Sequence, residues 1–163
     1  MSEPIVEQIA LWLVDALTDI TIGNGYQQTL TVSRPGELFD DSDTLADLST
    51  IVAIEDPESV GPRTTAGRRW RQPFTIATFL LGAAGTALST DTRINRVRSD
   101  IEKVLGTEQA TAAGPGSICN SLADDIQINA PQILTDPETQ AVLLISNVSI
   151  LYGVSAASPY TQT

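Results

Sequence analysis

Apolar residues recur along this chain with two periods, and the switches between them mark its elements. From Ile5 the spacing is three and four residues, through Ile9, Trp12, Leu13, Ala16, Leu17 and Ile20, with Glu7, Gln8 and Asp15 turned away. That is an amphipathic helix. Pro4 suits its first turn, where a missing N–H costs nothing, and Gly23-Asn24-Gly25 stops it. The period then drops to two. Residues 26–33, where Leu30 and Val32 alternate against threonines, read as a strand that Arg34-Pro35-Gly36 closes. Residues 37–48 are polar and acidic and read as a loop with a helical turn. Ile51, Val52 and Ile54 make a short strand, and residues 56–67, rich in Pro and Gly, make a long connection. Residues 69–81 are the longest strand candidate: Trp70, Phe74, Ile76 and Leu80 fall on one face, Arg69, Arg71, Thr75 and Phe79 on the other. Pro73 places this strand at an edge or across a bulge.

A second helix begins at a Ser89 or Thr90 cap, with Asp91 at the positive end of its dipole and Gly106 closing it after Leu105. Ile94, Val97, Ile101, Val104 and Leu105 form its buried stripe, and Arg93, Arg96, Arg98, Asp100, Glu102 and Lys103 the opposite face. Residues 107–117, rich in Ala, Gly and Thr, read as a loop, and Ile126 and Ile128 mark a short strand. Residues 141–152 are apolar on both parities, which predicts a central strand. The expected architecture is α+β: a mostly antiparallel sheet of roughly four to five strands flanked by two helices. One domain over residues 1–153 and a small, polar tail over 154–163 follow from the pattern.

Composition narrows the function classes. The chain has 163 residues and a net charge of -11, from 20 acidic against 9 basic side chains. Counterion release cannot drive nucleic-acid binding over such a surface as a whole, although an acidic wall would let DNA slide past. The opening Met1-Ser2-Glu3-Pro4 lacks the basic stretch of a secretory signal, and the apolar run at 79–85 is too short to span a bilayer. A membrane partner is therefore not expected. Cys119, the single cysteine, has no internal disulfide partner, which fits a reducing compartment.

Most catalytic constellations are missing. There is no histidine, which removes the commonest proton shuttle and every histidine-dependent triad. One cysteine cannot build an ordinary zinc site. Gly82-Ala-Ala-Gly85-Thr86 has no following Lys for a phosphate loop, and Asp41-Ser-Asp43 leads to Ala46 where a calcium loop needs Gly. No catalytic residue, cofactor or metal is expected. The charges themselves are uneven: Arg63, Arg68, Arg69 and Arg71 cluster around one connection and strand, and Arg93, Arg96 and Arg98 on one helix. In so acidic a chain these are candidates for contact with an identical neighbour or partner, while Asp40, Asp41, Asp43 and Asp47 form a candidate acidic loop or lumen wall.

The order of elements, quoted on its residues, resembles the tail terminator and related neck proteins of long-tailed bacteriophages. The amino-terminal helix ends near Asp19-Ile20 and a Tyr-containing strand follows. A strand through Ile51-Val52-Ala53-Ile54-Glu55-Asp56 and a long strand from Arg69 come next. The helix Arg93-Ile94-Asn95-Arg96-Val97-Arg98-Ser99-Asp100-Ile101-Glu102-Lys103-Val104-Leu105 and a last strand ending in Tyr152 complete it. The resemblance implies a homohexameric ring in the virion, at the tail–neck junction, that caps the tail tube and stops its polymerisation. Its partners would be itself, the tail tube protein, the head-completion proteins and genomic DNA threading the lumen without sequence-specific binding. No catalysis is implied. A head-completion or connector ring protein is the nearest alternative, and a cytosolic small-molecule or peptide-binding domain is one of a different class, predicting a concave apolar pocket.

Overall fold

The computed structural model describes residues 3–35, 46–62, 64–81, 88–111, 118–138, 141–156 and 158. Two helices, α1 (Ile5–Thr18) and α2 (Thr90–Thr111), pack on one face of a seven-stranded sheet. The strands are β1 (Thr31–Ser33), β2 (Ser49–Ile54), β3 (Glu58–Val60), β4 (Gly67–Leu80), β5 (Asp125–Ile128), β6 (Gln132–Thr135) and β7 (Val142–Ser155). The fold is α+β, with more strands than the sequence pattern predicts. The main sheet order is β1-β2-β4-β7-β5; β3 extends the β2 side along β4, and β6 extends the β5 side along β7. All pairings are antiparallel except β1 with β2.

The frame is the β4–β7 pair, joined in register from Gly67↔Ser155 to Leu80↔Val142. Its even-numbered residues, with few exceptions, are buried under the helices and its odd-numbered ones half-buried. Phe74, Ile76, Leu80, Leu144, Val148 and Ile150 meet Ile9, Leu13 and Leu17 of α1 and Val97, Ile101 and Leu105 of α2 in one core. At about 25 cal/mol per Å² of buried apolar area, this core is the main source of stability. β7 is central, as its two-sided apolar pattern predicts.

Four boundaries depart from the pattern, each for a tertiary reason. The strand expected over 26–33 shrinks to β1, because the amides of Gln27 and Gln28 donate to the Asp100 carboxylate at 2.9 Å each and that of Leu30 to Ile20. The connection 56–67 contains β3, which pairs back on β4. α2 runs through Gly106, which has no positive φ, because its last turn is held by Gln109 donating to the Ile126 carbonyl and Glu108 accepting from Cys119. The last strand runs past Tyr152: Val154 and Ser155 pair with Arg68 and Gly67, and Ala156 donates to Ala66.

Pro73 sits in a strand paired on both sides, yet at the gap where β2 ends and β3 begins. Its carbonyl accepts from Glu55, but it has no N–H to return. The buried side-chain amide of Gln72 supplies that donor to the Glu55 carbonyl instead. The proline therefore occupies an interruption in the ladder, not an edge strand.

Candidate functional site

With the even positions of β4 and β7 under the helices, the odd positions form a second sheet face. No helix of the described chain lies over it. Cross-strand register orders this face by chemistry from one end to the other. Where β4 begins it is charged: Glu58, Arg71, Leu151 and Asp125 lie in one row, with Arg69 beyond. The middle is neutral and polar, where Thr75 bonds to Asn147 at 3.0 Å beside Pro73, Ser149 and Gln127. The far end is mainly apolar, with Ile51, Ala77 and Ile145 beside Gln132 in one row and Phe79, Leu143 and Leu134 in the next.

β6 extends this apolar end to the rim of the sheet. All four of its residues are exposed, and Ile133 and Leu134 remain 53% and 54% accessible. A shallow cavity of about 510 Å³ opens there between Phe79, Leu134, Thr135, Asp136, Ala141 and Leu143. Large side chains left outside a core in this way are characteristic of surfaces that another molecule covers.

The arginines expected to act together divide into two groups. Arg68, Arg69 and Arg71 do gather at the start of β4. Arg69 pairs with Asp124 at 2.7 Å, and Arg71 donates to the neutral Gln127 amide at 2.6 Å. Arg68 lies 4.2 Å over the Trp70 ring and donates through Nε to Ser59 at 2.9 Å. Trp70 is thus half-buried under a guanidinium, whereas Trp12 is a core residue. Arg63 lies outside the described residues.

The helix arginines do not form a common surface. Arg93 is 2% exposed, paired with Asp47 and donating to the Leu81 carbonyl at 2.6 Å. It latches the start of α2 to the ends of β4 and the turn before β2, and is not available to a neighbour. Its position in the helix pattern suggested a solvated face; the return of residues 46–48 over that face buries it. Arg98 pairs with Glu102 one turn on, at 2.8 Å. Arg96 makes no such bond among the described residues. Asp40, Asp41 and Asp43 lie outside the described residues, and Asp47 serves the Arg93 latch instead of an open acidic wall.

Two polar residues carry structural roles that periodicity does not reveal. Asp100 is buried and holds the 27–28 backbone, and Gln72 completes the ladder at Pro73. The Gln-Pro dipeptide within an apolar strand was the available signal for the second. Cys119 begins a run of three non-glycine residues at positive φ, with Asn120 and Ser121. Burial, with Glu108 nearby, pushes its thiol up to about 12, so it is protonated and unreactive at neutral pH. Burial also raises Tyr152. A polar cleft of about 370 Å³ between the two helices is lined by Trp12, Asp15, Asp19, Tyr26, Glu108 and Asn120. Lys103 lies 4.5 Å over the Tyr26 ring beside it. The chain matches no protein-family model and no curated protein.

Proposed function

We propose that this chain is a structural virion protein of a long-tailed bacteriophage, the tail terminator. It forms a ring, homohexameric by the resemblance of its element order, that caps the tail tube, stops its growth and meets the head-completion proteins. Genomic DNA passes through the lumen, and a chain of net charge -11 gives that passage a repulsive wall.

The observation that carries the reading is the open sheet face. A two-layer domain that leaves Ile51, Phe79, Leu134, Leu143 and Ile145 outside its core, on a face that no described helix covers, suits a subunit that meets copies of itself there. Obligate ring interfaces are large and apolar at their centre, and this end of the face supplies such a centre without a charged side chain in either of its two rows. The mechanism asks for no reactive group. One surface joins copies, one end docks on the last tube ring, and completion of the ring leaves the tube no subunit to add.

The test is electron microscopy of lysates from the parent phage with a stop codon in this gene. Overlong tails without heads are expected. Normal-length tails beside heads that leak or lack DNA would move the protein to the head side of the neck, as a connector. Normal infectious particles would overturn the structural reading.

A further inference from the structure

The carboxyl ends of α1 and α2 wall the polar cleft of about 370 Å³, and its chemistry runs against what helix ends favour. Asp15 and Asp19 stand one turn apart where α1 ends, and both are exposed. No hydrogen bond or ion pair reaches either carboxylate among the described residues. Like charges at that spacing repel, and the carbonyls that end a helix add partial negative charge to theirs. Neither helix has a basic residue in its last turn to offset this. Glu108, in the last turn of α2, lines the same cleft, although its carboxylate is engaged by the Cys119 amide. Lys103, beside the cleft, is turned to the Tyr26 ring at 4.5 Å and to the Gly25 carbonyl at 3.4 Å, not to Asp15 or Asp19.

Trp12 is an independent sign of a missing partner. It lines the cleft three residues before Asp15 and is only 9% exposed, yet its indole N–H donates to nothing among the described residues. A buried indole N–H ordinarily has an acceptor. The unused donor and the two unpaired carboxylates thus lie within two turns of one helix, on one cleft. Among the described residues no group of three acidic or thiol side chains could hold a metal ion, which turns the reading from a metal to an organic cation.

We propose that this cleft receives an arginine side chain presented by another protein. The guanidinium is a planar fork of N–H donors that matches carboxylates, and the Asp15–Asp19 pair takes it. Trp12 and Tyr26 wall the aliphatic stem, and the backbone carbonyl of the incoming residue accepts from the Trp12 indole. A bare cation supplies no such carbonyl, and a neutral peptide supplies no charge. The volume is at the small end of ligand sites, roughly 300–1,000 Å³, which suits one side chain better than a helix or strand. The cleft belongs to the helix layer, away from the second sheet face, so its occupancy is independent of the ring reading.

Nuclear magnetic resonance of the full chain tests this, because two tryptophans give two indole N–H signals, which Trp70→Phe assigns. N-acetyl-arginine methylamide is expected to move the Trp12 signal downfield and saturably at about millimolar concentration, while that of Trp70, under Arg68, stays in place. N-acetyl-citrulline methylamide, which keeps the shape without the charge, is expected to need about tenfold more. Asp15→Asn with Asp19→Asn is expected to weaken arginine binding about tenfold and to raise the thermal midpoint, since it removes a like-charge pair at a helix end. Lost binding in that variant therefore does not come from a lost fold. An unmoved Trp12 signal, or equal binding by the citrulline analogue or by the doubly substituted chain, overturns the proposal. If n-butylguanidinium binds as tightly as the acetylated residue, the carbonyl takes no part and a protein partner is the wrong source.

Discussion

Arg93 shows how burial redefines a residue that the helix pattern places on a polar face. Its guanidinium is 2% exposed and held by Asp47 and the Leu81 carbonyl. Removing one member of a buried pair leaves the other uncompensated, at a cost of roughly 3 kcal/mol. Asp47→Ala is therefore expected to lower the unfolding free energy by that amount, read as a lower urea midpoint with an unchanged slope; a loss within about 0.5 kcal/mol, the scatter of surface substitutions, would show that the latch is not structural. Cys119 makes a pH prediction. Its thiol is raised from 9.0 to about 12 in the fold, so the folded state keeps a proton that the unfolded chain releases first. The stability this contributes is complete below pH 9 and is lost as pH rises through 9 to 12. Cys119→Ala should flatten that part of the stability–pH curve, and equal slopes in the two proteins would contradict the assignment. Neither role follows from residue type, since both depend on what packs against the side chain.

Among the elements, α2 is where local propensity and tertiary contact disagree most plainly. Gly106 reads as a stop, yet the helix continues to Thr111 because its last turn is tied to β5 and to Cys119. The glycine has ordinary helical φ, and a Cβ built there meets nothing within 4 Å. Gly106→Ala is accordingly expected to stabilise the fold by about 0.5–1 kcal/mol, read as a higher thermal midpoint; destabilisation would mean that the helix does end at this residue. The strand elements follow a similar logic. The long strands were legible because alternation over many residues is unambiguous, while β3 and β6 are too short to carry a period. β3 and β6 become strands only because β4 and β7 are longer than β2 and β5 and leave ladder positions to fill.

At the scale of the whole molecule, the described residues form a two-layer domain whose second sheet face no described helix covers, apolar at one end and charged at the other. If that face is a contact, a charge placed on its exposed rim should disturb assembly without disturbing the fold. Leu134→Lys, at a position 54% exposed, is expected to leave the melt within roughly 0.5 kcal/mol while weakening association about tenfold. Sedimentation of variant and unchanged chain compares them, and identical association would remove this end of the face from the contact surface. The arginines of residues 68–71 are visible in the sequence as a cluster, but that they share one end of the sheet with Glu58, Asp124 and Asp125 is a property of the strand register.

By itself the sequence determined both main helices, the long strands, their inward and outward faces, the central place of β7 and the α+β class. These follow from periodicity, which is local and repeated often enough to be read. Tertiary structure alone decided which polar residues are buried, where the short strands add, and that no described helix covers the second sheet face. Arg93, Asp100 and Gln72 are identical in type to exposed residues elsewhere in the chain. What separates them is a partner distant in sequence, at Asp47, Gln27 and Glu55, brought close only by the fold.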